Sequence, residues 1–237
     1  MLLITLIGVT AGLITTITGF GGGLLLVTVL AVIWDPLSAI TITSIALLVG
    51  NAQRLYMFRR HPNWRMAGLL IVGAIPGSLI GAQLAGSLPT WVLQLAIVAV
   101  TGAALLRAVW FPRWKLPVRS ITPGAASVGM LAAVSGGGGF LLGPLMLSAG
   151  LSGAAFIATG AMTASAIHTG RVVGYSAAGL LEVGMIATAL KLAACIIVGN
   201  MLGRRLRHHI DAPMQRWFEY GAMVTCAAAA VIGTLTT

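Results

Sequence analysis

Apolar stretches long enough to cross a hydrocarbon core of about 30 Å follow one another along the 237-residue chain. They lie at roughly 3–33, 36–57, 65–86, 90–110, 122–149, 152–176, 182–203 and 214–235. Only short clusters of Arg, Pro, Gly or Trp separate them, which leaves no room for a soluble domain. With 58% hydrophobic and 8% charged residues, the chain is expected to fold as an all-α integral membrane protein, with the lipid bilayer as its first partner. A formal net charge of +10 would suit nucleic acid in a soluble protein. Here the basic residues fall between apolar stretches and read as topology signals, so no nucleic-acid partner is expected. The opening residues carry no basic n-region, and a removable signal peptide is not expected. Cys195 and Cys226 lie in apolar runs without ligand spacing, so no metal or cofactor is expected and both read as packing residues.

The chain repeats itself. Gly12, Gly19, Gly21, Gly22, Leu24, Leu25, Ile40 and Arg54 recur 117 positions later as Gly129, Gly136, Gly138, Gly139, Leu141, Leu142, Ile157 and Arg171. Beyond the arginines the register slips by about five residues, after which Gly77 and Gly81 match Gly199 and Gly203. This divides the chain into a first repeat at 1–112, a basic cytoplasmic linker at 113–120 and a second repeat at 121–237, together one transmembrane domain.

Charge orients the spans. The basic clusters are Arg54, Arg59, Arg60 and Arg65; Arg107, Arg113, Lys115 and Arg119; and Arg204, Arg205 and Arg207. Eight full crossings would put the third cluster opposite the first two, against the positive-inside rule. If 3–33 and 122–149 are re-entrant hairpins instead, each half keeps three crossings and all three clusters become cytoplasmic. The expected architecture is therefore two inverted repeats, each a glycine-broken re-entrant hairpin plus three transmembrane helices, with both termini on the far side. Eight full transmembrane helices are the alternative.

The breaks point to a site. Thr18-Gly19-Phe20-Gly21-Gly22-Gly23 and Ser135-Gly136-Gly137-Gly138-Gly139-Phe140 interrupt helical stretches, where each glycine costs about 1 kcal/mol relative to Ala. Irregular backbone at membrane depth persists only where protein buries it or a cavity bathes it. Candidate substrate-binding residues are thus Thr18, Gly19, Gly21 and Gly22 with Ser135, Gly136, Gly138 and Gly139. Their backbone N–H groups, at the start of the next half-helix, suit an anion. By contrast, the Gly73, Gly77, Gly81 spacing and the Gly199, Gly203 spacing read as close helix packing.

Polar residues within the spans extend the list. Thr41, Ser44, Asn51 and Arg54 fall near one helix face, and Ser165, His168 and Arg171 answer them in the second half. Asn51 corresponds to His168 and Arg54 to Arg171. Lys191 lies within an apolar span, with Glu182 as a candidate counter-charge. Arg54, Arg171 and Lys191 are candidate anion ligands because ionisable groups at this depth normally face a cavity. Of the arginines, Arg171 is the stronger candidate, since Arg54 adjoins a surface cluster. The expected cavity is electropositive, its fixed charge coming from Arg171 and Lys191.

On the Gly8 to Leu13 opening, the Gly19 to Gly23 loop and its duplicate at Gly136 to Gly139, the chain resembles the sulfite exporter TauE/SafE family. The resemblance spans almost the full length. It implies export of sulfite, organosulfonates or related small anions across the bacterial cytoplasmic membrane. A secondary transporter working by alternating access is the expected function, and a passive small-anion channel is the alternative. An enzyme is not expected, since no nucleophile, base and acid assemble in the sequence. The sequence leaves open a coupling proton or sodium ion and assembly as a homodimer.

Overall fold

The computed structural model describes residues 2–110 and 117–210, with Met214, Trp217, Gly221, Val224, Thr225 and Ala228. Among these residues it is helical with no strand. The helices are α1 (Leu2–Thr18), α2 (Gly22–Ile33), α3 (Pro36–Met57), α4 (Trp64–Ser87), α5 (Thr90–Trp110), α6 (Ile121–Ser135), α7 (Gly138–Ser148), α8 (Gly153–Ala177) and α9 (Val183–Leu206). Most of the expected last span, 214–235, and of the linker cluster lies outside the described residues.

Local chemistry explains the boundaries. The Asp35 carboxylate accepts the Ser38 N–H at 2.9 Å and Pro36 opens α3; the Asn63 side chain likewise accepts the Met66 N–H at 3.1 Å at the start of α4. The breaks between α1 and α2 and between α6 and α7 fall on glycines with positive φ, Gly21 at 106° and Gly136 at 72°, a region that L side chains avoid.

Both breaks reverse the chain. A Cβ on Gly22 would collide with the Ala11 carbonyl oxygen, and one on Gly124 would lie 2.9 Å from the Leu145 side chain. In a continuous helix those pairs would be separated by about 16 and 30 Å along the axis. Hence α2 returns beside α1 and α7 beside α6. Each of these four helices is only about 16 to 26 Å long, short of a hydrocarbon core.

By length and composition, Pro36–Met57, Trp64–Ser87 and Val183–His209 are long and apolar enough to cross a membrane. The outward faces agree. Val72, Ile80, Leu95 and Val198 are exposed, and the exposed Trp64 and Trp91 lie at helix ends, where interfacial tryptophans sit. This is a multi-pass membrane protein.

The halves interlock. One apolar cluster joins α1, α2 and α3 to α9, and a second joins α6, α7 and α8 to α4, so each half lends one helix to the other. Close glycine contacts hold both exchanges, as the packing spacings anticipated. Gly77 lies against the Ala126 carbonyl and Gly199 against the Val9 carbonyl, so tightly that neither position has room for a Cβ. Ala126 and Val9 are themselves 117 positions apart.

Candidate functional site

The two chain reversals meet. The Cβ position of Gly139 lies 3.7 Å from the Gly21 nitrogen, and α2 touches α7. Between the tips is a cavity of about 50 Å³. That holds a few waters or one small anion, by the measure in which a single water needs about 10–15 Å³. Of the expected loop residues, Gly19, Gly21, Gly136, Gly138 and Gly139 line it. Gly21 and Gly137 begin α2 and α7 with no side-chain cap, so the first N–H groups of both helices lack intrahelical partners.

Thr18, Ser135 and Gly22 were expected in the site and are outside the lining. The Thr18 hydroxyl donates to the Ile14 carbonyl and accepts the Phe20 N–H; the Ser135 hydroxyl donates to the Leu131 carbonyl and accepts the Gly137 N–H. These equivalent residues hold the turns, and Gly22 is consumed by contact with α1.

From the helix faces, Asn51, Arg54 and His168 line the cavity. Arg54 is 2% exposed, away from the exposed Arg59 and Arg60 with which the sequence grouped it. Its Nη1 donates to the Thr15 carbonyl at 3.0 Å and its Nη2 to Asn51 Oδ1 at 2.7 Å. Its Nε is enclosed and has no hydrogen-bond partner. Asn51 donates in turn to the Leu47 carbonyl at 2.8 Å. Thr41, Ser44 and Ser165 bond back to their own helices and do not take part.

Arg171 differs from the expectation. It is fully buried, but outside the lining, and every guanidinium nitrogen has a partner. Nη2 donates to the Ile40 carbonyl at 2.7 Å, Nε to the Tyr175 hydroxyl at 3.4 Å, and Nη1 meets His168 Nδ1 at 3.2 Å. Tyr175 donates onward to the Ala133 carbonyl. Lys191 is exposed on α9 and does not line the cavity. Glu182 precedes that helix, about 13 Å from Lys191 along the axis, too far to pair with it. The fixed charge of the cavity is therefore Arg54, in place of Arg171 and Lys191.

Sequence reading also missed Phe20. It lines the cavity and packs edge-on against Phe156, with centroids 5.9 Å apart. Its position inside the glycine run was the available signal. Met146 and Ile167 add further apolar wall. Among the described residues, no Asp or Glu lines the cavity.

Chemically, this is an apolar pocket with one imidazole, and with one guanidinium and the N-terminal ends of two helices that favour negative charge. A family profile described as sulfite exporter TauE/SafE matches residues 4–231. No curated protein and no solved structure matches the chain.

Proposed function

We propose, from the premise that this chain belongs to the sulfite exporter TauE/SafE family, that it is a secondary transporter exporting sulfite or an organosulfonate across the bacterial cytoplasmic membrane by alternating access. The observation that carries the reading is the cavity at the meeting of two chain reversals, lined by Arg54 and, among the described residues, by no carboxylate. An anion entering it loses hydration, a cost that charge-assisted hydrogen bonds from Arg54 and N–H groups at the tips can offset. The planar guanidinium matches the oxygens of a sulfite or sulfonate better than a point charge would.

The reversals are read as re-entrant hairpins within two inverted repeats. Short half-helices, matched glycine contacts and the exchange of α4 and α9 support that reading. Relative motion of the two interlocked clusters would then open the cavity to either side in turn. Single cysteines at Arg60 and Arg205, in a background lacking Cys195 and Cys226, should react with an impermeant reagent from the same face. Reaction from opposite faces would restore eight full crossings.

The functional test is sulfite flux in proteoliposomes. Accumulation against a sulfite gradient, driven by a proton or sodium gradient, is expected. Strictly downhill flux would assign a channel, and no flux of sulfite or any sulfonate would overturn the reading.

A further inference from the structure

We propose that Arg171 acts on the anion without touching it, by fixing His168 as a hydrogen-bond donor to the cavity. The inference rests on reading that cavity as an anion site.

The geometry is specific. A guanidinium only donates, so the 3.2 Å contact between Arg171 Nη1 and His168 Nδ1 requires a lone pair on Nδ1. The ring proton then sits on Nε2, at the opposite edge of the imidazole. His168 is 7% exposed and lines the cavity, and among the described residues Nε2 meets no protein partner. Arg171 cannot swing away, because the Ile40 carbonyl and the Tyr175 hydroxyl hold its other two nitrogens, and Tyr175 is itself fully buried. One tautomer is thereby imposed on His168 from behind, and the face it turns to an anion is an N–H. Without that constraint, a neutral imidazole could turn an acceptor lone pair toward the anion and repel it. Arg171 is in this sense a positioning residue, and its conspicuous charge need not reach the ligand.

Two substitutions at the ring separate donor from bulk. His168→Gln keeps an N–H donor and should hold sulfite affinity within about 3-fold, whereas His168→Leu should lose about 10-fold or more, the range for a hydrogen bond to a charged group. Arg171→Gln should weaken sulfite binding in the folded fraction, but add little in the His168→Gln background, where the donor no longer depends on a tautomer. Equal losses in both backgrounds would mean that Arg171 acts directly on the anion, and would overturn the proposal. So would wild-type affinity in His168→Leu.

Should Arg171→Gln fail to fold, nitrogen NMR of ¹⁵N-histidine-labelled wild type at pH 8 decides the matter. The signal lost in His168→Gln should show a proton on Nε2, and a proton on Nδ1 would refute the mechanism. Sulfite binding by the wild type is the control. Its absence would sink the anion-site reading itself, whereas normal binding with an Nδ1 proton sinks only the role given to Arg171.

Discussion

Arg54 and Arg171 occupy equivalent positions 117 residues apart, and each bonds the residue three before it, Asn51 or His168. Four residues further on the halves diverge, with Phe58 in the first and Tyr175 in the second. The Tyr175 hydroxyl accepts from Arg171 Nε, so that each of its three nitrogens has a partner, while Arg54 Nε has none. The arginine behind the cavity thus has a partner on each of its three nitrogens, and the one in its wall on only two. Two cations at matching positions of the sequence thus have different surroundings, one in the cavity wall and one behind it. A guanidinium has five N–H donors, and the bonds to Thr15 and Asn51 leave Arg54 donors to spare for an anion in the cavity it lines.

The largest expected effect comes from removing the charge in the wall. Arg54→Gln should weaken sulfite binding by roughly 10- to 100-fold, with thermal stability close to wild type. Arg171→Gln should first reduce the yield and melting temperature of folded protein, because it strips three bonds from a buried network. The reverse pattern would break the comparison. Next comes Gly139→Ala. Its added methyl meets only ordinary contacts, at 3.7 Å from Gly21 and Phe20, so it should lower affinity by about 5-fold through crowding, with folding intact. Gly21→Ala would be a poorer probe, since φ of 106° strains any L residue there. The smallest effect should be that of Lys191→Gln, less than 2-fold, since this residue lies outside the cavity.

The fold was legible where backbone rules are strict. Contiguous glycines in apolar runs cannot sit mid-helix cheaply, and the breaks at Gly19–Gly21 and Gly136–Gly137 fall where that rule puts them. Packing glycines such as Gly77 and Gly199 were equally readable from their spacing. The charges were not. Whether a buried arginine faces a cavity or a carbonyl depends on contacts distant in sequence: Arg54 reaches Thr15 on α1, and Arg171 reaches Ile40 on α3. Proximity of Arg54 to Arg59 and Arg60 in the sequence suggested a surface role, but in the last turn of α3 it points inward, buried and bonded to the Thr15 carbonyl of α1. Thr18 and Ser135 were misleading for another reason. They are the last residues of α1 and α6, and their hydroxyls are spent on the turns. Comparing the repeats four residues past the arginines would have exposed the Phe58 and Tyr175 difference.

The central claim is that the anion sits between the two glycine tips against Arg54. Selenite, a heavier isostere of sulfite, allows it to be located directly by anomalous diffraction from crystals of the full chain. A selenium peak within hydrogen-bonding reach of Arg54 and the α2 or α7 N-terminal N–H groups is expected, together with its loss in Arg54→Gln. A peak beside Lys191 or elsewhere, with the cavity between the tips unoccupied while selenite still competes with sulfite for binding, would contradict it.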